Sequence, residues 1–219
     1  MVYVKKNNFS IIHIPKTGGS SINKDLFNRR SFFGPLVKCH LGHLTLREIL
    51  ERKSTDFILP AKPEIKEFSL DERFGTKILN EIIDSRKISI VRHPVTRIVS
   101  YYHYVKQYES HLFPEIEEMS FEEFLKVSET TLSKQRAFWK QCDYIFFNEK
   151  TVDYIIKYEE LQSIEKVFEK LGIVFTLKNH ELKTDKSKFE LSNSALEIIE
   201  QKYKEDFLKL EYDVENFSI

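Results

Sequence analysis

Apolar positions along the chain form short runs separated by stretches with helical spacing. Phe9-Ser-Ile-Ile-His-Ile14 is compact, rich in β-branched residues and stopped by Pro15, which predicts a buried strand. Beyond Lys16-Thr-Gly-Gly-Ser-Ser21, residues Ile22, Leu26 and Phe27 recur at helical spacing, with Ser20 or Ser21 as N-cap. A second run, Ile88-Ser-Ile-Val91, passes through Arg92-His-Pro94 into Val95, Ile98, Val99 and Tyr102. It predicts another strand turning into a helix, with Pro94 near the first helical position. Tyr144–Phe147 and Val152–Tyr158 read as later strands, and Thr76–Asp84, Phe121–Ser128, Leu161–Leu171 and Leu191–Lys209 as helices. Strands alternating with helices predict an α/β fold on a parallel sheet, with ligand bound at the carboxyl ends of the strands.

No internal repeat, low-complexity tract or Gly/Ser linker interrupts this pattern, so residues 1–219 read as one domain. With 41% apolar and 31% charged residues, the composition is that of a globular protein and not of a disordered or fibrous one. The 18 Phe and 10 Tyr supply a core that needs no disulfide or metal staple. Lys plus Arg and Asp plus Glu number 34 each, which removes the electrostatic footprint of a general nucleic-acid or membrane-surface binder. The charge is nonetheless uneven, since residues 1–53 hold ten basic against three acidic side chains and residues 109–129 seven acidic against one basic. An anionic ligand near the first glycine loop fits the former, and a solvated helix face the latter.

No apolar run approaches the ~18 residues that span a bilayer, and no signal-peptide hydrophobic region follows Met1–Asn8, so a cytoplasmic protein is expected. Cys39 and Cys142 show neither CxxC nor zinc spacing and read as reduced thiols.

Pro15-Lys-Thr-Gly-Gly-Ser-Ser21 stands where a strand becomes a helix. Backbone N–H groups of Gly18, Gly19, Ser20 and Ser21, the helix dipole and the Lys16 ammonium would converge there as a phosphate or sulfate cradle. The alternative is a glycine turn with a solvated lysine. The order is not that of a Walker A loop, GxxxxGK[ST], because Lys16 precedes the glycines. In Arg92-His-Pro-Val-Thr-Arg-Ile-Val-Ser100, Arg92 falls at a strand's carboxyl end and Ser100 on the following helix, a guanidinium and a hydroxyl suited to a phosphate monoester. His13 reads as a packed strand residue and His93 as a shaper of the turn before Pro94. His40-Leu-Gly-His43 lacks local acidic or cysteine partners for a zinc set, so no metal is expected. The tyrosines around Tyr101–Tyr108 read as core and rim aromatics.

Together these stretches resemble the PAPS-dependent sulfotransferases, particularly the carbohydrate type related to heparan sulfate 2-O-sulfotransferase, PAPS being 3′-phosphoadenosine 5′-phosphosulfate. Ile14–Ser21 is similar to the family's 5′-phosphosulfate loop and Val91–Tyr102 to its 3′-phosphate motif, with weaker likeness at Ser120–Leu125, Tyr158–Leu161 and Tyr203–Asp206. The resemblance implies a P-loop-kinase-like three-layer α/β sandwich with a central parallel β-sheet. It further implies that Lys16, Thr17, Gly18, Gly19, Ser20 and Ser21 hold the 5′-phosphosulfate, and Arg92 and Ser100 the 3′-phosphate. Gly42-His-Leu-Thr45 resembles the segment that carries the family's catalytic base, which implies that His43 takes the acceptor's proton; His40 is displaced by one residue from the second histidine of that pattern. The implied acceptor is a saccharide hydroxyl, with Ser54–Phe74 expected as a variable loop shaping its site. Two other readings remain open at this level: a P-loop nucleotide kinase, and a non-catalytic polyanion-binding domain using the basic amino-terminal region.

Overall fold

The computed structural model describes residues 2–4, 7–19, 21–22, 43–51, 80–111, 114–128, 135–160, 162–173, 175 and 189–217. Its centre is a four-stranded sheet of β1 (Val2–Val4), β2 (Phe9–Ile12), β3 (Arg86–Val91) and the strand Tyr154–Lys157, in that spatial order. β1 runs antiparallel to β2, whereas β2, β3 and Tyr154–Lys157 are mutually parallel. The predicted α/β sheet is therefore present, with one antiparallel strand at its edge.

Strand period two sorts the side chains onto two buried faces. Phe9, Ile11, Ile88, Ile90 and Ile156 point to one side, where Ile164 and Phe168 of the helix Gln162–Lys170 pack on them. Ile12 and Val91 point to the other, against Leu46 and Ile49 of α1 (Leu46–Leu50), Ile82 of the helical residues 80–84, and Tyr144 and Ile145. Helices on both faces make three layers. A third cluster lies off the sheet: Val95, Ile98, Val99 and Tyr102 of α2 (Pro94–Tyr104) meet Phe124 of α3 (Phe121–Val127) and Ile199 and Tyr203 near the carboxyl terminus.

Local chemistry sets the helix starts. Pro94 opens α2 as the residue without an N–H, and the His93 ring accepts from Val95 N at 3.3 Å. Thr45 with Glu48, and Ser120 with Glu123, form capping boxes at α1 and α3. α2 continues into a π-helical stretch over Val105–Glu109.

Two predicted elements come out differently. Tyr144–Phe147 is not one strand: α4 (Gln141–Ile145) ends inside it, and only Phe146–Phe147 (β4) pairs, antiparallel with Lys150–Thr151 (β5), which makes Tyr154–Lys157 β6. The cause is distant in sequence. The fully buried Asp206 carboxylate accepts from Gln141 N and Cys142 N, both at 2.9 Å, and so caps α4. The periodic stretch 191–209 is likewise two helices, α6 (Asn193–Lys202) and α7 (Lys204–Lys209), α5 being Gln162–Lys170. They break at buried Tyr203, whose φ and ψ are −107° and 21° and whose hydroxyl donates to Phe138 O at 3.2 Å. Hydrophobic period alone does not see the break, because the stripe of Ile199, Tyr203 and Phe207 stays buried across it.

Replacing Asp206 by Ala leaves two buried N–H groups unpaired and should lower stability by about 2–4 kcal/mol, read from the urea midpoint. Asn, which keeps one acceptor oxygen, should recover part of the loss.

Candidate active site

The parallel strands deliver their successors to one rim of the sheet. β2 leads through His13 and Ile14 into the glycine loop, β3 ends directly before Arg92, and β6 directly before Tyr158. This is the carboxyl edge, where open α/β sheets bind ligands.

Lys16 and Gly18 adopt left-handed φ values of 67° and 82°, so the loop turns sharply, and Thr17 ties it down by donating from Oγ1 to Ile14 O at 3.0 Å. The helix begins at Gly19, earlier than the serine caps predicted; its first bond runs from Ile22 N to Gly18 O at 3.4 Å. Ser21 thus lies inside the first turn, where backbone N–H groups face the amino end. The two glycines are required for space as well. A Cβ on Gly18 would stand 2.6 Å from Tyr158 Cε2, and one on Gly19 would stand 2.4 Å from His13 Cδ2. The loop backbone is wedged between two rings.

Arg92 joins the loop to the second motif. Its Nη1 donates to Lys16 O at 3.3 Å, its Nε to Thr96 Oγ1 at 3.0 Å, and its guanidinium lies 4.5 Å from the centroid of the Tyr158 ring. Burial pulls the guanidinium down from its usual value, opposed by Tyr158 and Glu159. The main chain of Arg92 is clamped by buried Gln141, whose Oε1 accepts from Arg92 N at 2.8 Å and whose Nε2 donates to Arg92 O at 2.7 Å. Ser100 is buried on α2, one turn from Thr96 and one turn from Tyr104. Thr96 holds Arg92, and Tyr104 carries Lys16 Nζ 3.9 Å above its ring, so Ser100 falls between two side chains of one stripe that both face the loop.

His43 lies beside the same loop, its ring 4.8 Å from that of His13. Nδ1 is 3.0 Å from His13 O, and a carbonyl there requires the proton on Nδ1, so the neutral ring carries its lone pair on Nε2. Burial lowers the His43 pKa, the bond to His13 O opposes this, and the nearby Arg136 charge adds to the lowering. Arg136 also donates to His43 O and pairs with Glu48 through contacts of 2.9 and 2.5 Å. Burial raises the Glu48 pKa, but the Arg136 and Thr45 hydrogen bonds outweigh it and hold the carboxyl below its usual range. The His43 segment is thereby pinned to the start of α1.

His93 is structural, as the sequence suggests. Its Nε2 is 2.7 Å from Asp213 O, Glu159 accepts from its backbone N at 2.8 Å, and the Phe207, Tyr212 and Phe217 rings surround it. Arg97 points away from the loop, fully buried and donating to the carbonyls of Ala137 and Trp139 at 3.1 and 2.8 Å. Ser20, His40, Cys39 and the 54–74 segment lie outside the described residues. Among those described, no group of three or more His, Cys, Asp or Glu side chains is placed to hold a metal ion, and no helix is long and apolar enough to cross a membrane.

The sequence assigns no role to Gln141 or Arg136, and it marks Tyr158 and Asp206 only as members of stretches with weaker family likeness, Tyr158 also by its place at the carboxyl end of a predicted strand.

The sheet and its rim define a nucleotide-type α/β fold with adjoining basic strand-to-helix turns. The model of the sulfotransferase family matches residues 1–213, and the chain belongs to that family, whose members use PAPS; it is an enzyme that transfers sulfate. The kinase and non-catalytic readings give way to that finding. Its fold is similar to that of a crystallised sulfotransferase from Alicyclobacillus acidocaldarius, with a TM-score of 0.50 at 17% identity over 93% of this chain and 94% of that one. No curated protein matches the chain in sequence.

A methyl group at Gly19 has to displace the His13 ring or the loop. Gly19→Ala should therefore weaken binding of PAP, the desulfated donor, at least about tenfold by calorimetry, or about 1.4 kcal/mol. The paired change Gly19→Ala with His13→Ala, which frees the space, should recover much of that loss.

Proposed function

We propose that this chain, one sulfotransferase domain over its whole length, moves a sulfuryl group from PAPS to a hydroxyl of a saccharide, free or on a lipid. The observation that carries the reading is the joining of two cationic strand-to-helix turns by the Arg92–Lys16 hydrogen bond of 3.3 Å. A donor with anionic groups at both its 5′ and 3′ positions needs two such sites side by side, whereas an ordinary nucleoside triphosphate needs one. The space also fits, since the loop approaches as bare backbone at Gly18 and Gly19.

In this reading Lys16, Thr17, Gly18, Gly19, Ser20 and Ser21 hold the 5′-phosphosulfate. Arg92 and Ser100 hold the 3′-phosphate, for which Nη2 is the arm of the Arg92 fork not engaged by Thr96 or Lys16. The acceptor oxygen attacks sulfur in line with the bond to the 5′-phosphate oxygen. As the new S–O bond forms, the old one breaks, and PAP leaves with the negative charge that Lys16 and the loop amides stabilise. The acceptor's proton passes to Nε2 of His43, which is neutral at pH 7 because burial depresses its pKa. No step is assigned to a metal. The saccharide class is supported by the likeness of Gly42–Thr45 to the 2-O-sulfotransferase pattern. A cytoplasmic setting is supported by Cys142, a buried free thiol.

The test is thermal stabilisation by PAP against AMP, ADP and ATP with Mg²⁺. PAP at 100 times its Kd should add about 2.7 kcal/mol, with smaller effects from nucleotides lacking the 3′-phosphate. Lys16→Ala should abolish most turnover while the fold persists, and His43→Ala should lose turnover but keep PAP affinity. Absence of any PAP-specific shift would remove the donor assignment.

The pH profile follows from the same residue. Because the His43 pKa is lowered from 6.5, turnover should fall on the acid side only below pH 6.5. Arg136→Ala removes a charge that disfavours the imidazolium, so that limb should move to higher pH. An unmoved limb would take His43 out of the base role.

A further inference from the structure

The Lys16 side chain has a partner that neither family membership nor the donor assignment explains. Its ammonium stands 3.9 Å from the centroid of the Tyr104 ring, at the last residue of α2. Tyr104 is itself backed by aromatics, with the Tyr108 ring at 5.3 Å and the Tyr101 ring stacked at 6.5 Å. Burial and neighbouring Glu109, which hydrogen-bonds its hydroxyl, raise the Tyr104 pKa, so the ring stays a neutral phenol.

A flexible lysine at a transfer site needs orientation, because its side chain is free about several bonds. A carboxylate would orient it but would also neutralise it and repel a dianionic donor. An aromatic face attracts the ammonium through its quadrupole and adds no net negative charge to the site. We propose, on the reading that Lys16 acts on the departing phosphate oxygen, that Tyr104 is the positioning residue for Lys16. Its ring face holds the ammonium at the mouth of the loop.

The role belongs to the ring and not to the hydroxyl, which separates it from a hydrogen-bonding or general structural function. Tyr104→Leu should lower the rate of PAPS conversion to PAP, measured with water as acceptor, about 3- to 30-fold, the range that a cation–π contact of ordinary strength corresponds to. The KM for PAPS and the calorimetric affinity for PAP should stay within about twofold, and Tyr104→Phe should restore the rate to within about twofold of the parent. In a Lys16→Ala background the Leu change should cost nothing further. An equal loss in that background, or a Phe variant as impaired as the Leu variant, overturns the proposal.

A second measurement does not depend on turnover. After reductive ¹³C-methylation, which keeps the charge, the Lys16 dimethylammonium signal, assigned by its absence in Lys16→Arg, should be shifted upfield by the ring and should return to the ordinary position in Tyr104→Leu. An unshifted signal overturns the placement of Lys16 over Tyr104. A shifted signal in a protein that neither binds PAP nor converts PAPS supports that placement and refutes the donor reading instead.

Discussion

The backbone of Gly18 and Gly19 passes between the rings of Tyr158 and His13 with no room for a single methyl group, and the rest of the site is arranged around that passage. On one side, Tyr158 is also the surface on which Arg92 lies, so the loop and the Arg92 turn share a wall. On the other, His13 gives its ring to the flank of Gly19 and its carbonyl to His43, so the base candidate is located by the same residue that bounds the loop. The glycine loop and the His43 ring are thereby parts of one packed object. A shift in the loop is felt at both, since densely packed groups have few alternative arrangements.

A second tier fixes the parts that meet there. Asp206 starts α4, α4 presents Gln141, and Gln141 holds both main-chain polar groups of Arg92. Arg136 and Glu48 do the equivalent for the His43 segment. The hydrogen bonds made by Asp206, Arg136 and Glu48 have charged members and are stronger than neutral ones, and all of these contacts are buried or half-buried and costly to leave incomplete.

Legibility in the sequence followed the distance over which each feature is encoded. The glycine loop and the Arg92–Ser100 motif are contiguous stretches at strand-to-helix turns, and each could be read from its own residues. β2, β3, α2, α3 and α5 were likewise visible, since apolar period and turn residues specify them locally. What escaped was carried by partners far along the chain. The apolar run at Tyr144–Phe147 has strand composition, yet its helical half is nucleated by a carboxylate more than sixty residues away. The apposition of Tyr158 to Gly18, and of Arg136 to His43, has no local signature, because it arises only when the strands align and the helices pack. The serine caps were misplaced because Gly18, with its positive φ, lets the helix begin before them.

The pairing of the three parallel strands carries one more consequence. Ile12 lies opposite Ser89 and Val91 opposite Lys157, so continuing the same register brings Pro15, Arg92 and Tyr158 to one level across the sheet. Strand length here is a ruler. One residue added to or lost from β3 or β6 would slide its motif about 3.3 Å past its neighbour and turn it to the opposite face. Insertions and deletions are thus barred from these three short stretches and tolerated in the connections between them. The connecting loops can then change while the three turns stay level, and a chain only 17% identical shares the fold.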